Sequence, residues 1–167
     1  MLSPLRYPGS KADLVPVVAQ ILNECGLSGR PFIEPYAGSA SVSLALVEAG
    51  VVPSAVIGEQ DPLLYSFWRA VFEHTDELLE RFIDLPITLE TWHSLRPLMK
   101  VKDPNTVADQ VELGLAGLFF NRANFSGILN GGPIGGMLQN PSTKSTAERI
   151  KMRLFAEFLR FRLYTTK

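Results

Sequence analysis

Apolar residues recur at helical spacing near the start of the chain. Within residues 12–25 (ADLVPVVAQILNEC), this spacing brings five apolar side chains to one face of a helix: Leu14, Val17, Val18, Ile21 and Leu22. Gly26 follows directly, and glycine adopts the left-handed conformation that ends many helices. The pattern therefore predicts an amphipathic helix that ends at Gly26.

The pattern then changes to a short strand, a tight turn and a second helix. Phe32 and Ile33 form a brief apolar run, and residues 35–39 (PYAGS) are typical of a turn. From Ala40, small and apolar residues continue to Gly50, which again suits the end of a helix. A second strand is predicted over residues 55–61 (AVIGEQD), with two acidic residues near its end.

The middle of the chain is predicted to be helical. Residues 62–85 form one long stretch that opens with Pro62, a residue favoured in the first turn of a helix. A shorter helix is expected over residues 88–97, with Trp92 and Leu95 facing inward, followed by a polar loop over 100–106. Residues 107–120 are so apolar that they predict a buried helix.

The last part of the chain is rich in glycine before it returns to regular structure. Residues 125–146 hold five glycines among apolar side chains, which indicates a packed loop rather than a flexible linker. A helix over 147–158 and a strand over 160–166 (RFRLYTT) are expected to follow. Strands separated by helices predict an α/β fold.

Charge is distributed unevenly, although the net charge of the 167 residues is only −1. From Arg122 to Lys167 the sequence holds eight basic and two acidic residues, so this stretch is near +6 and the remainder near −7. The asymmetry indicates that the C-terminal part faces a polyanion such as a nucleic acid. A helix with a solvent-exposed basic face explains the same charges equally well.

Composition excludes several classes of protein. With 46% hydrophobic and 20% charged residues, the chain is typical of a globular domain. It has no apolar run near the roughly 20 residues that span a bilayer, and no secretory signal is visible. Cys25 is the only cysteine, which excludes an internal disulfide and a cysteine metal cluster, and no metal site is expected. These features predict a cytoplasmic protein with no membrane partner.

The strand–turn–helix segment is the first candidate site. Its turn (EPYAGSAS, residues 34–41) presents backbone N–H groups at a helix N-terminus, and small residues let a ligand approach closely. Glu59 follows about 20 residues later, at the end of the next strand. A carboxylate in that place can bind a ribose in nucleotide-binding α/β folds, whereas a solvated loop acid is the alternative.

Four segments carry a family resemblance: RYPGSK (6–11), FIEPYAGSASVSLAL (32–46), GEQDPLLYSFW (58–68) and FFNRANFSG (119–127). Together they resemble the Dam-like DNA adenine N6-methyltransferases, whose cofactor is S-adenosylmethionine. RYPGSK (6–11) is similar to that family's opening motif, and FIEPYAGSASVSLAL (32–46) to its cofactor-binding motif. GEQDPLLYSFW (58–68) resembles the acidic strand end with the helix after it. FFNRANFSG (119–127) resembles the segment that leads into the target-recognition region. The four segments lie in the family's order over nearly the whole chain, which argues against a chance match.

The resemblance implies a site for S-adenosylmethionine. Tyr7 would flank the sulfonium, and Lys11 would lie near the polar end of the cofactor. The alternative is that Tyr7 is simply part of the hydrophobic core and that Lys11 is a solvent-exposed residue at the start of a helix. Glu34 and the turn would bind the methionine part, and Glu59, a glutamate where the family usually has aspartate, would bind the ribose. The full set of expected cofactor contacts is Tyr7, Lys11, Glu34, Pro35, Tyr36, Ala37, Gly38, Ser39, Glu59 and Gln60.

The resemblance also divides the chain and implies contacts with double-stranded DNA. Residues 1–120 would form the cofactor-binding part, 121–146 a short target-recognition region, and 147–167 a helix and strand that return to the sheet. Arg122, Asn124 and Lys144 are expected to touch DNA, while the helix from residue 147 would contact phosphates or pack against the domain.

The Asp-Pro-Pro-Tyr motif with which the family holds the target adenine does not occur in the sequence. In the family it follows the strand that RFRLYTT resembles, so no catalytic residue is expected in this chain. The resemblance then implies a partial Rossmann-like methyltransferase sheet with flanking helices, completed by a partner chain that carries the catalytic half. The alternatives are a truncated product and a cofactor-binding, DNA-binding regulator without chemistry of its own.

A nucleotide kinase or NTPase is the competing class of enzyme. It would need a glycine-rich loop that closes with Gly-Lys-Ser or Gly-Lys-Thr, and YPGSKAD lacks that spacing. A plain nucleic-acid-binding module would fit the basic C-terminal part, but it would leave the cofactor motifs unexplained.

Overall fold

The computed structural model describes residues 3–101, 103–104 and 106–137. Over these residues the elements follow in the order α1 (Val15–Glu24), β1 (Phe32–Glu34), α2 (Ser41–Glu48), β2 (Ala55–Ile57), α3 (Pro62–Glu73), α4 (Thr75–Asp84), α5 (Leu89–Leu95) and α6 (Val107–Ala123). Short 3-10 turns cover Ala12–Leu14, Arg96–Lys100 and Phe125–Gly127. The chain divides into two units, Met1–Gln60 and Asp61–Lys167.

A parallel β–α–β arrangement forms the centre of the first unit. β1 and β2 pair in parallel, with α2 as the crossover between them, and the aligned residues are Phe32 with Ala55, Ile33 with Val56 and Glu34 with Ile57. The predicted order of strand, turn, helix and strand is therefore confirmed, as is the α/β character of the chain. β2 ends at Ile57 rather than at residue 61, because the residues after it bond to the turn that follows β1.

The core of the first unit selects a different face of α1 from the one predicted. A buried cluster of Val42, Leu46 and Val52 packs against Val15, Val18, Ala19, Leu22, Phe32 and Val51. Val18 and Leu22 thus face the core as expected, but Leu14, Val17 and Ile21 are about half exposed. The prediction was wrong for these three because apolar residues surround more than one side of α1, so periodicity alone cannot choose the buried side. Both helices of this unit end as predicted, at Gly26 and Gly50, which have positive φ angles.

The second unit begins with a capped helix that is shorter than predicted. The Asp61 carboxylate accepts hydrogen bonds from the backbone N–H groups of Leu63 and Leu64, and Pro62 occupies the first turn as expected. The single helix predicted over 62–85 is wrong, since His74 is non-helical and separates α3 from α4. The Thr75 hydroxyl donates to the carbonyl of Val71, a local bond that competes with a continuous helix.

The helices α5 and α6 confirm the predicted helical segments with shifted ends. Trp92 is buried and Leu95 half-buried, as expected for the inward face of α5. Thr106 and Asp109 form a reciprocal capping box that starts α6. α6 is buried over most of its length and continues three residues beyond the predicted end at residue 120, to Ala123.

α6 packs closely on α3 because it carries two glycines on the contact side. A Cβ on Gly114 would lie 2.8 Å from the carbonyl oxygen of Ser66, and one on Gly117 would lie 2.8 Å from that of Leu63. These distances are shorter than any real Cβ contact, so the side chains must be absent for the two backbones to approach. The glycines in this apolar helix are therefore explained by packing.

Two of the predicted elements cannot be compared with the structure. The helix predicted over 147–158 and the strand over 160–166 lie outside the described residues. The division after Gln60 falls within the part that the sequence analysis treats as one cofactor-binding segment, 1–120. Among the described residues, no helix has both the length and the hydropathy to cross a bilayer.

Replacing Gly114 by Ala is expected to lower the free energy of unfolding by about 1–3 kcal/mol, the usual cost of overpacking a core. The higher helix propensity of Ala opposes this effect by about 1 kcal/mol at most. Urea unfolding measures the change. Gly132→Ala is the control, since a Cβ there has nothing within 4 Å; equal stability of the two variants would contradict the close packing.

Candidate functional site

The turn after β1 is held against the residue that follows β2. Gly58 donates its N–H to the Glu34 carbonyl at 2.9 Å, and Ala37 donates to the Gly58 carbonyl at 2.9 Å. A Cβ on Gly58 would lie 2.8 Å from the carbonyl oxygen of Pro35, so only glycine permits this approach. The carboxyl ends of the two parallel strands therefore meet at one place, where ligands bind in open α/β sheets.

Tyr7 lies directly on the glycine of this turn. Gly38 has a φ of +52°, and a Cβ there would lie 2.8 Å from Cε1 and Cζ of the Tyr7 ring. Ala40 also has a positive φ, 50°, and donates its N–H to the Ala37 carbonyl at 2.7 Å. The structure thus brings the opening motif and the turn into contact, as their joint assignment to one site requires.

Glu34 is a buried carboxylate whose two oxygens have different partners. Its Oε2 accepts hydrogen bonds from the N–H of Ser43 at 3.1 Å and from the Ser43 hydroxyl at 2.6 Å. Ser43 lies in the first turn of α2, so the negative charge also meets the positive end of the helix dipole. Its Oε1 is buried, accepts no hydrogen bond from the part of the chain that the structure describes, and lies 3.5 Å from Nζ of Lys11.

Lys11 ties the opening segment to the turn. Its Nζ donates to the backbone carbonyl of Tyr36 at 2.9 Å and forms the ion pair with Glu34. The Lys11 side chain remains 42% exposed. The neighbouring Pro35 and Tyr36 are exposed, whereas Ala37 and Ser39 are buried.

Glu59 reaches from the end of β2 back to the turn. Its Oε2 accepts the N–H of Gly38 at 2.9 Å, and its Oε1 accepts the N–H of Gln60 at 2.8 Å. Gln60 itself is exposed. The structure therefore gathers all ten expected cofactor contacts in the first unit, around the Gly38 turn.

Sequence reasoning missed a cluster of three hydroxyl groups at the same turn. Ser41 Oγ lies 2.8 Å from Ser39 Oγ and 3.0 Å from Ser10 Oγ, and Ser39 and Ser10 lie 3.5 Å apart. The available signal was the alternation of serine in residues 39–43, together with a serine in the opening motif. The cluster adds a second link between the opening segment and the start of α2.

In the second unit, the side chain of Asn124 has an internal role. Asn124 is fully buried, and its Oδ1 accepts the indole N–H of Trp92 at 2.7 Å. Its Nδ2 donates to the carbonyls of Ile128 at 2.9 Å and Leu129 at 2.7 Å. The amide therefore fastens the loop that follows α6, and this conformation argues against a direct contact between Asn124 and DNA.

The other two residues expected to touch DNA differ from each other. Arg122 is only 4% exposed, so its guanidinium does not offer a surface contact in this structure. Lys144 lies outside the described residues. Near them Asn121 is buried and donates to the Gly127 carbonyl at 3.2 Å, so a second amide fastens the same loop.

One protein-family model matches a stretch of the chain that includes both the Gly38 turn and the loop after α6. Residues 7–136 match the family model of the D12 class N6 adenine-specific DNA methyltransferases, which is well over half of the chain. The chain therefore belongs to this family, whose named activity is methylation of the N6 position of adenine in DNA. The resemblance found in the four sequence segments is confirmed. A comparison with curated proteins gave no match.

Replacing Asn124 by Ala is expected to destabilise the second unit strongly. The change leaves the buried Trp92 indole N–H and the Leu129 carbonyl without their partner, while the Ile128 carbonyl keeps the N–H of Gly131. A buried unsatisfied group costs about 1–3 kcal/mol, so we expect a loss of about 2 kcal/mol or more in the free energy of unfolding, measured in urea. Asn130→Ala, on the exposed part of the same loop, is the control and should change stability by less than about 0.5 kcal/mol. A small effect at Asn124 would contradict its role as the anchor.

Proposed function

We propose that the chain binds S-adenosylmethionine at the Gly38 turn and serves as the cofactor-binding subunit of a split DNA adenine N6-methyltransferase. The observation that carries the first part is the convergence of Tyr7, Lys11, Glu34 and Glu59 on a turn whose glycine admits no side chain. The second part is supported by the exposed apolar face of the β1–β2 sheet and by the absence of the Asp-Pro-Pro-Tyr motif from the sequence.

The residues present suit the chemical groups of S-adenosylmethionine. The buried Oε1 of Glu34 would accept a hydrogen bond from the ammonium of the methionine part, and Lys11 would pair with its carboxylate. The ring of Tyr7 would face the sulfonium through a cation–π contact. When bound, this cofactor supplies the methyl group that the family transfers to adenine.

Glu59 would hold the ribose while it also holds the turn. A carboxylate oxygen can accept more than one hydrogen bond, and the N–H groups of Gly38 and Gln60 bind different oxygens of Glu59. The same oxygens would also accept hydrogen bonds from the ribose hydroxyls.

Replacing Gly38 by Ala should weaken the binding of S-adenosylmethionine by more than tenfold, as measured by calorimetry. The added Cβ would overlap the Tyr7 ring, and the positive φ would be strained as well. Gly50→Ala is the matched control because Gly50 also has a positive φ but has nothing within 4 Å of an added Cβ. Loss of binding in G50A to the same extent would assign the effect to instability, and unchanged binding in G38A would contradict the site.

The proposal of a partner chain is supported by apolar side chains that are exposed on one face of the β1–β2 sheet. Ile33 and Val56 are aligned neighbours on one face of the sheet, and they are 65% and 59% exposed. Parallel sheets normally carry cover on both faces, since their strands are apolar on both sides. Among the described residues β1 pairs with β2 alone, so its other edge is open to a further strand.

The proposed partner is the half of the fold that carries the Asp-Pro-Pro-Tyr motif. It would add its strand to the free edge of β1 and cover Ile33 and Val56. The cofactor and the target amine must meet within a few ångströms for direct transfer, so the two halves have to form one sheet. An interface of this kind is large and apolar, as in obligate complexes.

Reconstitution tests the split directly. The 167-residue chain alone should not methylate adenine in duplex DNA, and a mixture with a partner that carries Asp-Pro-Pro-Tyr, sought first among neighbouring reading frames, should do so. Ile33→Asp should abolish both complex formation and methylation, because the charge would be buried in the interface. Val47→Asp, on the exposed side of α2, is the control and should preserve both.

The outcomes separate the alternatives. Robust methylation by the single chain would overturn the split subunit. Cofactor binding without methylation in any combination would favour a truncated protein or a regulator that binds cofactor and DNA without chemistry of its own.

A further inference from the structure

α1 and the residue before it carry a row of apolar side chains that the core of the first unit leaves exposed. Leu14, Val17 and Ile21 are 50%, 53% and 52% exposed. Their spacing of three and four residues places the three side chains next to one another along one side of the helix. These three residues are called the α1 row below.

The α1 row continues the buried side of the helix instead of standing apart from it. At about 100° per residue, the row and the four residues of α1 that pack on the core cover a continuous arc of roughly 200°. A helix that packs against one neighbour needs an apolar stripe of about 100°. The rest of the circumference holds Pro16, Gln20, Asn23 and Glu24. The apolar arc of α1 is therefore wide enough for two neighbours, of which α2 is one.

α1 lies beside the open edge of β1. The core cluster that holds α1 includes Phe32, the first residue of β1, together with Val42 and Leu46 of α2. Since α2 connects the two strands across this face of the sheet, α1 packs beside it on the side of β1. At the other end of β1, Glu34 pairs with Lys11, which lies just before α1. The segment around α1 thus contacts both ends of β1, whose edge away from β2 has no further strand among the described residues.

We propose that the catalytic partner binds the α1 row as well as the sheet: the strand that it adds to β1 lies beneath α1, and its apolar side chains pack against Leu14, Val17 and Ile21. An added strand lies about 4.8 Å from β1, so side chains on its helix-facing side point toward α1. This inference rests on the proposed function, because it takes the partner chain as the occupant.

The partner fits this surface better than a second copy of the chain does. The open strand edge and the α1 row are neighbours, so one inserted strand covers an unpaired backbone edge and an apolar helix face together. A second copy could cover the row with its own row, but a twofold contact would set β1 against β1 in the antiparallel direction. The sheet present is parallel, and only a different chain can add a further parallel strand in the same contact.

The position beneath α1 also defines the chemistry of the partner strand. α1 would cover one face of that strand, and the face on the side of Ile33 would lie against the partner's own helices. A strand buried on both faces is a continuous apolar run, whereas a strand with one wet face alternates between apolar and polar residues. Among candidate reading frames, the partner should therefore carry an unbroken apolar run at the strand that pairs with β1.

Affinity between the full chain and the Asp-Pro-Pro-Tyr protein used in the reconstitution tests the proposal. Ile21→Lys should weaken the complex by about 30-fold or more, the size of a hot-spot effect, because the row is buried in the interface. Gln20→Lys is the matched control: it places the same charge one residue away, on the exposed polar side of α1, and should bind within about threefold of the wild type. Both variants should keep the urea unfolding midpoint of the isolated chain, since both positions are exposed there.

Thiol labelling measures directly whether the partner covers the row. Cys25 is exposed and is first replaced by Ser, so that an introduced cysteine is the only thiol. In this background the maleimide labelling of Val17→Cys should slow by about tenfold or more when the partner binds, because a thiol reacts only where reagent reaches it. Labelling of Gln20→Cys should stay within about twofold. A role of Val17 in the stability of the isolated chain would not produce this protection.

The possible failures can be told apart. If Ile33→Asp abolishes the complex while Ile21→Lys binds as the wild type does, the α1 row is not part of the interface and the split enzyme still stands. If the chain alone dimerises in sedimentation and I21K makes it monomeric, the row joins two copies and the proposal is overturned. If no Asp-Pro-Pro-Tyr protein binds the wild-type chain, this inference fails together with the split subunit.

Discussion

The carboxylate of Glu34 is the interaction on which the candidate site depends. It ends β1, bonds to the first turn of α2 through Ser43, and forms an ion pair with Lys11 of the opening segment. A buried carboxylate is costly unless its oxygens are satisfied, and this one has partners for one oxygen and only an ion pair at 3.5 Å for the other. The same residue therefore organises the turn and leaves one acceptor for a cationic group of a ligand.

Around Glu34 the backbone conformation of the turn is determined by close contacts at two glycines rather than by the turn propensity of its residues. Gly38 meets the Tyr7 ring and Gly58 meets the Pro35 carbonyl, so neither position tolerates a side chain. Glu59 then fixes Gly38 through its N–H. Because each contact limits the position of the next, the residues proposed to hold the methionine part and the ribose are fixed by one another, which would lower the entropy lost on binding.

The loop after α6 follows a related principle in the second unit, with polar side chains inside and an apolar ring outside. Asn121 and Asn124 bind loop carbonyls that have no partner in regular secondary structure, and such buried groups must be satisfied. The amides therefore hold the loop together with the backbone hydrogen bonds from Phe125 to Gly132 and from Ile134 to Ala123.

The sequence by itself determined the features that depend on a few adjacent residues. The helix ends at Gly26 and Gly50, the start of α3 at Pro62, and the β–α–β order were all predictable, because caps and turns are local. The ten cofactor candidates were found through motifs, and the structure brings them together in one unit.

Only the tertiary structure decided which side of α1 is buried, because its apolar residues surround more than one face. It also decided that Asn124 faces Trp92 and that Phe125 faces solvent, a reversal of the usual behaviour of amides and rings. Partners distant in sequence set these outcomes: Trp92 precedes Asn124 by 32 residues, and no local pattern encodes their hydrogen bond. Burial is a property of the packed chain, whereas a capping residue acts on its own neighbours.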